Sequence, residues 1–542
     1  MKLKPNDLLD SIRINFFSAI FNSWQRFALS FILGALGSFA FAPLFIFPAL
    51  LLSLSGGLFL LNNEIEKKSS FFKIFCLGWF FGFGHFTVGL YWITLALTTD
   101  LAFYWFLFSL LGIPGYLALF FGFSFFLTAL WPYKGLSRGL AFCAIWVGME
   151  WLRGNFFIEF PWNFVGYGWA FSLEMMQTAS FVSIYGLSLL TLLMAMSLPY
   201  LLGKRSFERN IAFCIYLMVG LCWIAGKYRL NHQDNLSPSS FAIRLVQPNN
   251  HYMGELDPQH IEKNFQALLK MTAQPSSLPL KAIVWPESAV LYFLELDSSS
   301  RRLIGKALPK GALLFTGAPR RKELEKKPVQ IWNSFFVLND QGHIVTHYDK
   351  SRLVPFGEYI PLKSTLETIF GEGTIKNRTM GNLDLTTGTG IKPLTLPKGF
   401  PTCMGLICYE IIFPHGIVNP IQERPEWIIN VSNDGWYRNT FGPHQHLEMA
   451  RFRAIEQGLP LVRVANTGIS AVFDAYGQPI GMIPLNNQGI LDVFLPLSLP
   501  FVPFYAQWGD WITLILIGGV LTLAFLVSLK ERYFNFFSLE KL

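Results

Sequence analysis

Long apolar runs are the feature that most limits what this chain can fold into. The chain has 542 residues, of which 52% are hydrophobic and only 14% are charged, a composition typical of a membrane protein. Most of the runs approach the ~20 residues that a helix needs to cross a bilayer. They predict a polytopic α-helical membrane domain with eight spans, near residues 24–43, 45–62, 71–96, 101–131, 137–155, 179–202, 210–226 and 510–529.

Basic residues between the runs predict how the spans are oriented. Lysines and arginines cluster in the N-terminal tail, in the loop at 62–73 and in alternate later loops, while the intervening short loops are nearly free of them. Because such clusters stay on the cytoplasmic side, we expect both termini to be cytoplasmic and segment 227–505 to be extracytoplasmic. In a bacterium this means the inner membrane, with the long segment in the periplasm. The net charge is +8, but the basic residues are spread along the chain and form no patch, so no nucleic-acid partner is expected.

The spans divide the chain into three parts. We expect a transmembrane domain with seven spans at 1–226, an α+β domain at 227–505, and the eighth span with a cytoplasmic tail at 506–542. The long segment is predicted to mix α and β structure in one domain, because β-branched runs accompany a helical periodicity at 445–457. Buried strands are predicted at 241–246, 282–285, 313–316 and 427–431, and hairpins at 335–345 and 471–480.

Two charged residues interrupt the fifth run. Glu150 and Arg153 are three positions apart and therefore share one face of a helix. Charges inside a membrane are costly, so they are usually paired or functional. Two interpretations stay open: a mutually satisfied pair at a helix end, or a pair that lines a substrate cavity. The aromatic loop that follows, at 160–169, is predicted to lie at the outer membrane interface.

Three reactive side chains end strand-like runs in the long segment: Glu287, Lys350 and Cys408. A free cysteine is most often a small buried packing residue, and a charged residue at a strand end is usually solvated. Together, however, they supply a base, a cation and a nucleophile, the set that covalent catalysis needs. Cys403 lies on the same strand-like run as Cys408, where disulfide geometry is poor, so Cys408 is predicted to be free.

The sequence around these three residues is similar to that of a known family. Trp-Pro-Glu at 285–287, Tyr-Asp-Lys at 348–350 with Leu-Val-Pro-Phe-Gly-Glu at 353–358, and Ile-Cys-Tyr-Glu at 407–410 resemble the motifs of the carbon–nitrogen hydrolase (nitrilase) superfamily. Because this domain lies between the seventh and eighth spans, the chain resembles the apolipoprotein N-acyltransferase family over nearly its whole length. Further matching stretches are at 150–154, 160–162, 430–437, 442–446, 453–456, 465–468 and 509–511.

This resemblance implies a nitrilase-like αββα sandwich and an acyl transfer with ping-pong kinetics. A fatty acyl chain then moves from a membrane phospholipid, through a cysteine thioester, to the N-terminal amine of S-diacylglyceryl-cysteine apolipoproteins, as the final step of bacterial lipoprotein maturation. By the same resemblance Glu287 is the proton acceptor, Lys350 holds the oxyanion and Cys408 is the nucleophile. The implied partners are a phospholipid donor and a diacylated apolipoprotein acceptor, and neither a cofactor nor a metal is expected.

The resemblance adds three supporting residues: Glu358, Tyr409 and Glu410. Glu358 is expected to orient Lys350 or to tune Glu287. Tyr409 and Glu410 stand beside the nucleophile, and their alternative interpretation is packing and loop anchoring. The neighbouring polar stretch at 430–434 is interpreted as a structural turn rather than a ligand site.

Two other functions stay open. The triad by itself also permits a membrane-tethered amidase that passes the acyl group to water. A transporter or lipid-binding protein is the other alternative, and it predicts that Cys408 is dispensable.

The chain departs from the family pattern at Leu256, where an aromatic residue is expected. Residues 354–383, which follow the lysine motif, are predicted to form a mobile lid that touches the membrane.

Overall fold

The computed structural model of the chain describes residues 22–97, 106–201, 203, 206–232, 239–250, 257–324, 327–371, 384–417 and 423–539. Leu256 and the second part of the predicted lid, residues 372–383, lie outside these ranges.

A helical region occupies the first part of the chain. Its apolar runs form helices because a helix satisfies its backbone hydrogen bonds internally, as a lipid environment demands. A π-helical turn, Phe108–Gly112, leads into the fifth helix. The helices are α1 (Ser23–Gly37), α2 (Phe47–Glu66), α3 (Phe71–Gly89), α4 (Tyr91–Leu97), α5 (Ile113–Ala129), α6 (Gly135–Asn155), α7 (Leu173–Met176), α8 (Ala179–Leu201) and α9 (Ser206–Asn231).

Length and composition identify candidate membrane spans within the described part of the chain. Five helical segments are long and apolar enough to cross a membrane: Phe71–Gly89, Phe108–Ala129, Ala179–Tyr200, Ser206–Asn231 and Trp511–Lys530. Each of them coincides with a predicted span. A helical region with apolar candidate spans is therefore confirmed, and the count of eight spans stays a prediction.

The segment after α9 contains two six-stranded sheets. The first has the order β12-β1-β2-β3-β4-β5, and the second β11-β10-β9-β8-β7-β6. Strands β1 to β3 run parallel, as do β7 to β9. The strands are β1 (Ala242–Gln247), β2 (Leu280–Val284), β3 (Leu313–Leu324), β4 (Lys327–Leu338), β5 (Ile344–Asp349), β6 (Pro393–Leu394), β7 (Cys403–Ile407), β8 (Trp427–Ser432), β9 (Leu461–Ala465), β10 (Ser470–Phe473), β11 (Pro479–Ile483) and β12 (Gly489–Phe494).

The two sheets pack face to face, with helices outside them. Val284 and Phe335 of the first sheet share one apolar cluster with Ile407 and Ile429 of the second, so this cluster fills the space between the sheets. The predicted αββα sandwich and both predicted hairpins, β4–β5 and β10–β11, are confirmed. The remaining helices are α10 (Pro258–Thr272), α11 (Ser298–Ala307), α12 (Lys363–Phe370), α13 (Gly442–Gln457), α14 (Phe504–Trp508) and α15 (Trp511–Leu539).

Helix α13 joins the sandwich to the membrane helices. Phe452 and Ile455 of α13 belong to the same continuous apolar cluster as Leu406 of the second sheet and Tyr185 of α8. Both faces of α13 are therefore buried. This arrangement places the carboxyl ends of β7 and β8 beside the loops of the membrane region.

The charged residues of α6 have different partners from those first predicted. Glu150 Oε1 accepts a hydrogen bond from the backbone N–H of Val165 at 2.8 Å. Arg153 donates to the carbonyl oxygens of Phe160 at 2.9 Å and of Trp162 at 2.8 Å. Glu150 Oε1 and Arg153 Nη1 thus bond to the backbone of the aromatic loop, whereas Glu150 Oε2 and Arg153 Nη2 are buried without a hydrogen-bond partner among the described residues. Both side chains hold that loop in place.

Candidate active site

Cys408 lies at the carboxyl end of β7, where the chain turns sharply. Its φ of 49° is in the left-handed region, which a residue with a side chain rarely adopts. A 3-10 turn, Cys408–Ile412, follows at once. The side chain is only 5% exposed, and the cysteine is free, as is Cys403. The turn aims the thiol out of the sheet toward the loops at the other strand ends.

Glu287 follows β2 and is held by two donors from different parts of the sandwich. Its Oε1 accepts from Asn333 Nδ2 at 2.8 Å, and its Oε2 accepts from the backbone N–H of Asn433 at 2.8 Å. The carboxylate is 6% exposed. Because β2 and β7 both end at this edge, Glu287 and Cys408 meet here although 120 residues separate them in the sequence.

Lys350 follows β5 and lies between two carboxylates. Its Nζ is 2.8 Å from Glu358 Oε1 and 3.4 Å from Glu287 Oε1. Asn333 Nδ2 also donates to Glu358 Oε1, at 3.1 Å. Glu358 is itself fixed, because its Oε2 accepts the backbone N–H of Val354 at 2.8 Å. The geometry matches the expectation that Glu358 orients Lys350.

Burial and neighbouring charges shift the pKa values of both Lys350 and Cys408. Burial opposes the charge on Lys350, but the carboxylates of Glu358 and Glu287 outweigh it and hold the pKa of the amine above its ordinary value. Burial raises the pKa of the Cys408 thiol, and the carboxylate of Glu287 raises it further, while Lys350 partly offsets both. At neutral pH the site therefore holds an ammonium beside a protonated thiol. A base must remove the thiol proton before the sulfur can attack a substrate.

Glu410 connects the turn Cys408–Ile412, named the nucleophile turn after the predicted role of Cys408, to the end of β5, which Lys350 follows. Its Oε2 accepts the backbone N–H of Ile407 at 2.8 Å. Its Oε1 accepts the hydroxyl of Tyr348 at 2.6 Å and the backbone N–H groups of Ser351 and Arg352 at 2.8 and 3.1 Å. The side chain is completely buried. These contacts are those of a loop anchor, the alternative interpretation that the sequence left open.

Tyr409 connects the same turn to the membrane region. Its hydroxyl donates to the carbonyl oxygen of Glu159 at 2.5 Å, and its ring stacks on Phe160 with 6.4 Å between centroids. The Glu159 carboxylate also lies 3.4 Å from Arg352. The aromatic loop that Arg153 holds therefore lies directly against the nucleophile turn.

A buried polar cluster lies behind Cys408. Ser432 Oγ is 3.4 Å from Cys408 Sγ and 2.8 Å from Asp434 Oδ1. Burial opposes the charge on Asp434, yet Arg463 and His446 hold the pKa of this carboxyl below its ordinary value. The polar stretch at 430–434 is the end of β8 and the start of the 3-10 turn Asp434–Tyr437, so only its last two residues form the predicted turn, and the stretch supports the site.

The cluster does not suit a metal ion. One ligand atom each from Cys408, Asp434 and His446 lies within 4.8 Å of the others, which is close enough for shared coordination. However, Arg463 Nη2 lies 2.7 Å from Asp434 Oδ2 and 3.0 Å from His446 Nδ1. A cation placed among these atoms would meet a fixed positive charge, so the residues fit a hydrogen-bonded cluster instead.

Two residues of the site were missed from the sequence. Asn333, with Ser334, interrupts the apolar part of β4, and this break in the pattern is the signal that could have identified it. Ser432 ends β8, as Cys408 follows β7. The predicted residues Glu287, Lys350, Cys408, Glu358, Tyr409 and Glu410 all lie together at this edge.

Comparisons with known proteins cover both parts of the chain. A family model described as carbon-nitrogen hydrolase matches residues 243–499, and one described as apolipoprotein N-acyltransferase N-terminal domain matches residues 33–197. Among solved structures, an amidase from Nesterenkonia sp. is 20% identical and has a TM-score of 0.34, covering 48% of this chain and 91% of the amidase.

Curated relatives match almost end to end. An apolipoprotein N-acyltransferase of Bradyrhizobium diazoefficiens is 36% identical, covering 94% of this chain and 95% of the relative. The enzyme of the same name from Rhodopseudomonas palustris is 34% identical over 94% of this chain and 96% of the relative. The one from Rickettsia typhi is 31% identical over 92% and 98%. With such identity over nearly its whole length, the chain belongs to the apolipoprotein N-acyltransferase family.

Proposed function

We propose that Cys408 carries a fatty acyl chain from a membrane phospholipid to the N-terminal amine of S-diacylglyceryl-cysteine apolipoproteins. Family membership makes the chain an acyltransferase that acts on lipoproteins at a membrane. The observation that carries the proposal is the contact of the nucleophile turn with the membrane region, through Tyr409 and Glu159. A thiol in this position is close to lipid substrates that do not diffuse through water.

In the first half-reaction Glu287 removes the proton of Cys408. The thiolate attacks the ester carbonyl of the phospholipid, so a C–S bond forms and the ester C–O bond breaks. Lys350 Nζ and the backbone N–H of Tyr409 stabilise the oxyanion of the tetrahedral intermediate. The proton on Glu287 passes to the departing alkoxide, and a lysophospholipid leaves.

In the second half-reaction the lipoprotein amine attacks the thioester. Glu287 accepts the proton that the amine loses as the C–N bond forms. The C–S bond then breaks, and the proton returns to the sulfur of Cys408. Glu358 and Asn333 keep Lys350 and Glu287 in position throughout, because each contacts its partner at hydrogen-bond distance. Two sequential transfers through one thiol predict ping-pong kinetics.

We propose that the chain has a domain within the membrane and a domain outside the cytoplasm. The transmembrane domain comprises 1–226, the catalytic domain 227–505, and the eighth span with its tail 506–542. The basic loops support two cytoplasmic termini and a periplasmic catalytic domain. The strands of the described residues all fall within residues 242–494, inside the proposed catalytic domain.

The test uses full-length protein purified in detergent, supplied with phospholipid and a diacylated lipopeptide. A triacylated lipopeptide is expected, and phospholipid alone is expected to leave an acyl group on the Cys408 peptide, as seen by mass spectrometry. Cys408→Ala is expected to abolish both products. Release of free fatty acid without any triacylated product would contradict the transferase and favour the amidase alternative.

A further inference from the structure

The thiol of Cys408 has a hydrogen-bond partner that the two half-reactions do not use. Among the described residues, the hydrogen bond found for Sγ is with Ser432 Oγ, at 3.4 Å. The oxygens of Glu287 are instead engaged by Asn333 and Asn433. The sulfur is therefore held from the side of β8, in the second sheet.

Ser432 is itself fixed by buried charged groups. Its hydroxyl lies 2.8 Å from Asp434 Oδ1, and Arg463 Nη2 lies 3.3 Å from Ser432 Oγ. Asp434 keeps two further partners, Arg463 at 2.7 Å and His446 at 3.0 Å. The Ser432 proton can therefore turn from the carboxylate to the sulfur without leaving Asp434 unpaired.

We propose that Ser432 is a catalytic residue whose hydroxyl stabilises the Cys408 thiolate when Glu287 removes the thiol proton. The inference rests on the proposed function and deepens it. The thiol proton passes to the Glu287 carboxylate, while Ser432 donates a hydrogen bond and keeps its own proton. When the thioester forms, the sulfur loses its negative charge and the hydroxyl turns back to Asp434. A hydrogen bond to an ionised group is stronger than a neutral one, especially away from water.

Titratable and charged groups face the sulfur from both sheets and from the helices packed on them. Ser432→Ala removes none of these groups, but it does remove the contacts of the hydroxyl with Asp434 and Arg463. The comparison with Ser432→Thr, which retains a hydroxyl, therefore assigns a shift in the ionisation of Cys408 to the hydroxyl. The groups are Glu287, Lys350, Asp434, Tyr437, His446 and Arg463.

The test is the pH dependence of Cys408 alkylation by iodoacetamide in full-length protein, followed on the Cys408 peptide by mass spectrometry. Ser432→Ala is expected to move the midpoint upward by about one pH unit or more, because loss of the donor favours the thiol over the thiolate. Ser432→Thr retains a hydroxyl and is expected to restore the wild-type midpoint. Thioester formation with phospholipid is expected to slow roughly tenfold or more in Ser432→Ala.

Ser470→Ala is the matched control. Ser470 is also completely buried, on β10 of the same sheet, which β9 separates from β8, and its hydroxyl contacts Gln247 and Ala465. Its midpoint is expected to equal that of the wild type. If Ser432→Ala does not fold, Ser432→Cys provides a weaker donor, and the upward shift is expected there too.

An unchanged midpoint in the Ser432 variant that folds would overturn the proposal, even if that variant were slower or less stable. A purely structural role lowers the rate without moving the midpoint. Alkylation needs neither acyl donor nor acceptor. A shifted midpoint in a protein that fails to make triacylated lipopeptide would therefore contradict the proposed function and leave the role of Ser432 standing.

Discussion

At the scale of single residues, Glu410 shows how a carboxylate next to a nucleophile can serve structure. It accepts hydrogen bonds from Ile407, just before the nucleophile, and from Tyr348 and Ser351, on either side of Lys350. The carboxylate is completely buried, and its partners come from strand ends of both sheets. The relative position of thiol and ammonium therefore depends on it.

Glu410→Ala is expected to lower the free energy of unfolding by roughly 3 kcal/mol or more, since each buried donor left without an acceptor costs about 1–3 kcal/mol. Thioester formation should fall with it, because Cys408 and Lys350 lose their common anchor. Denaturant unfolding in detergent and the thioester assay measure the two effects. Glu426→Ala is the control. The exposed Glu426 accepts a hydrogen bond from the backbone N–H of Thr402, which immediately precedes β7. Equal stability of both variants would refute the anchor role.

At the scale of secondary-structure elements, α13 is the link between sandwich and membrane helices. Gln445 Oε1 accepts the indole N–H of Trp162 at 2.8 Å and of Trp92 at 3.1 Å, so one side chain holds the aromatic loop and helix α4. Both indoles pack on Tyr437, with centroid distances of 6.0 and 4.6 Å. Tyr437 in turn lies within electrostatic range of Cys408. Helix α13 thereby positions the rings of Trp92, Trp162 and Tyr437 near Cys408.

Gln445→Leu is expected to slow thioester formation roughly 10- to 100-fold, because small displacements of groups beside a reacting centre are costly. The measurement is the rate of acylation of Cys408 at saturating phospholipid. Gln177→Leu is the matched control: Gln177 is also buried and donates across the two parts of the chain, to Tyr476. The Gln177 variant should have a lower melting temperature, but its Cys408 should be acylated at nearly the wild-type rate. Equal rates in the two variants would show that α13 has only a stabilising role.

The end of α13 also meets a break in a membrane helix. Ser183 has a φ of 60° inside α8, and this kink leaves the N–H of Ile184 free of its helical partner. Glu456 Oε1 accepts both that N–H and the Ser183 hydroxyl, each at 2.9 Å. A catalytic-domain carboxylate therefore completes the hydrogen bonding of a membrane helix.

At the scale of the whole molecule, the catalytic domain is built onto the membrane region. One continuous apolar cluster runs from Leu50 and Phe121 in the membrane helices, through Phe452 of α13, to Ile428 in the second sheet. A tethered soluble enzyme would have an independent core with a polar outer face. The observed continuity is suited to an enzyme whose substrates are both lipids.

The proposed orientation predicts which surfaces face the periplasm. A membrane-impermeant maleimide applied to intact spheroplasts should label Lys263→Cys, on the exposed face of α10, and should not label Glu66→Cys at the end of α2. Peptide mapping separates these sites from the native cysteines, and permeabilised cells show that Glu66→Cys is reactive. Labelling of the Glu66 variant in intact spheroplasts, or none at Lys263, would reverse the proposed topology.

The sequence by itself determined the features that depend on local pattern. Apolar runs of membrane-spanning length predicted the helical region, and short β-branched runs predicted strands such as β1, β2 and β8. The motifs around Glu287, Lys350 and Cys408 were sufficient for the family, and they predict the nucleophile, because each lies at the end of a recognisable strand. These features follow from side-chain periodicity and from short motifs, which neighbours in sequence encode.

Only the tertiary structure decided which groups meet. Asn333 lies on β4, and Ser432 and Asn433 lie at the end of β8; their roles arise from hydrogen bonds to Glu287 and to Cys408, which are distant from them in the sequence. The partners of Glu150 and Arg153 were likewise set by the path of the loop after α6. A buried polar group takes whichever donor or acceptor the packed chain brings within about 3 Å. That distance depends on the arrangement of both sheets and of the membrane helices, which local sequence does not encode.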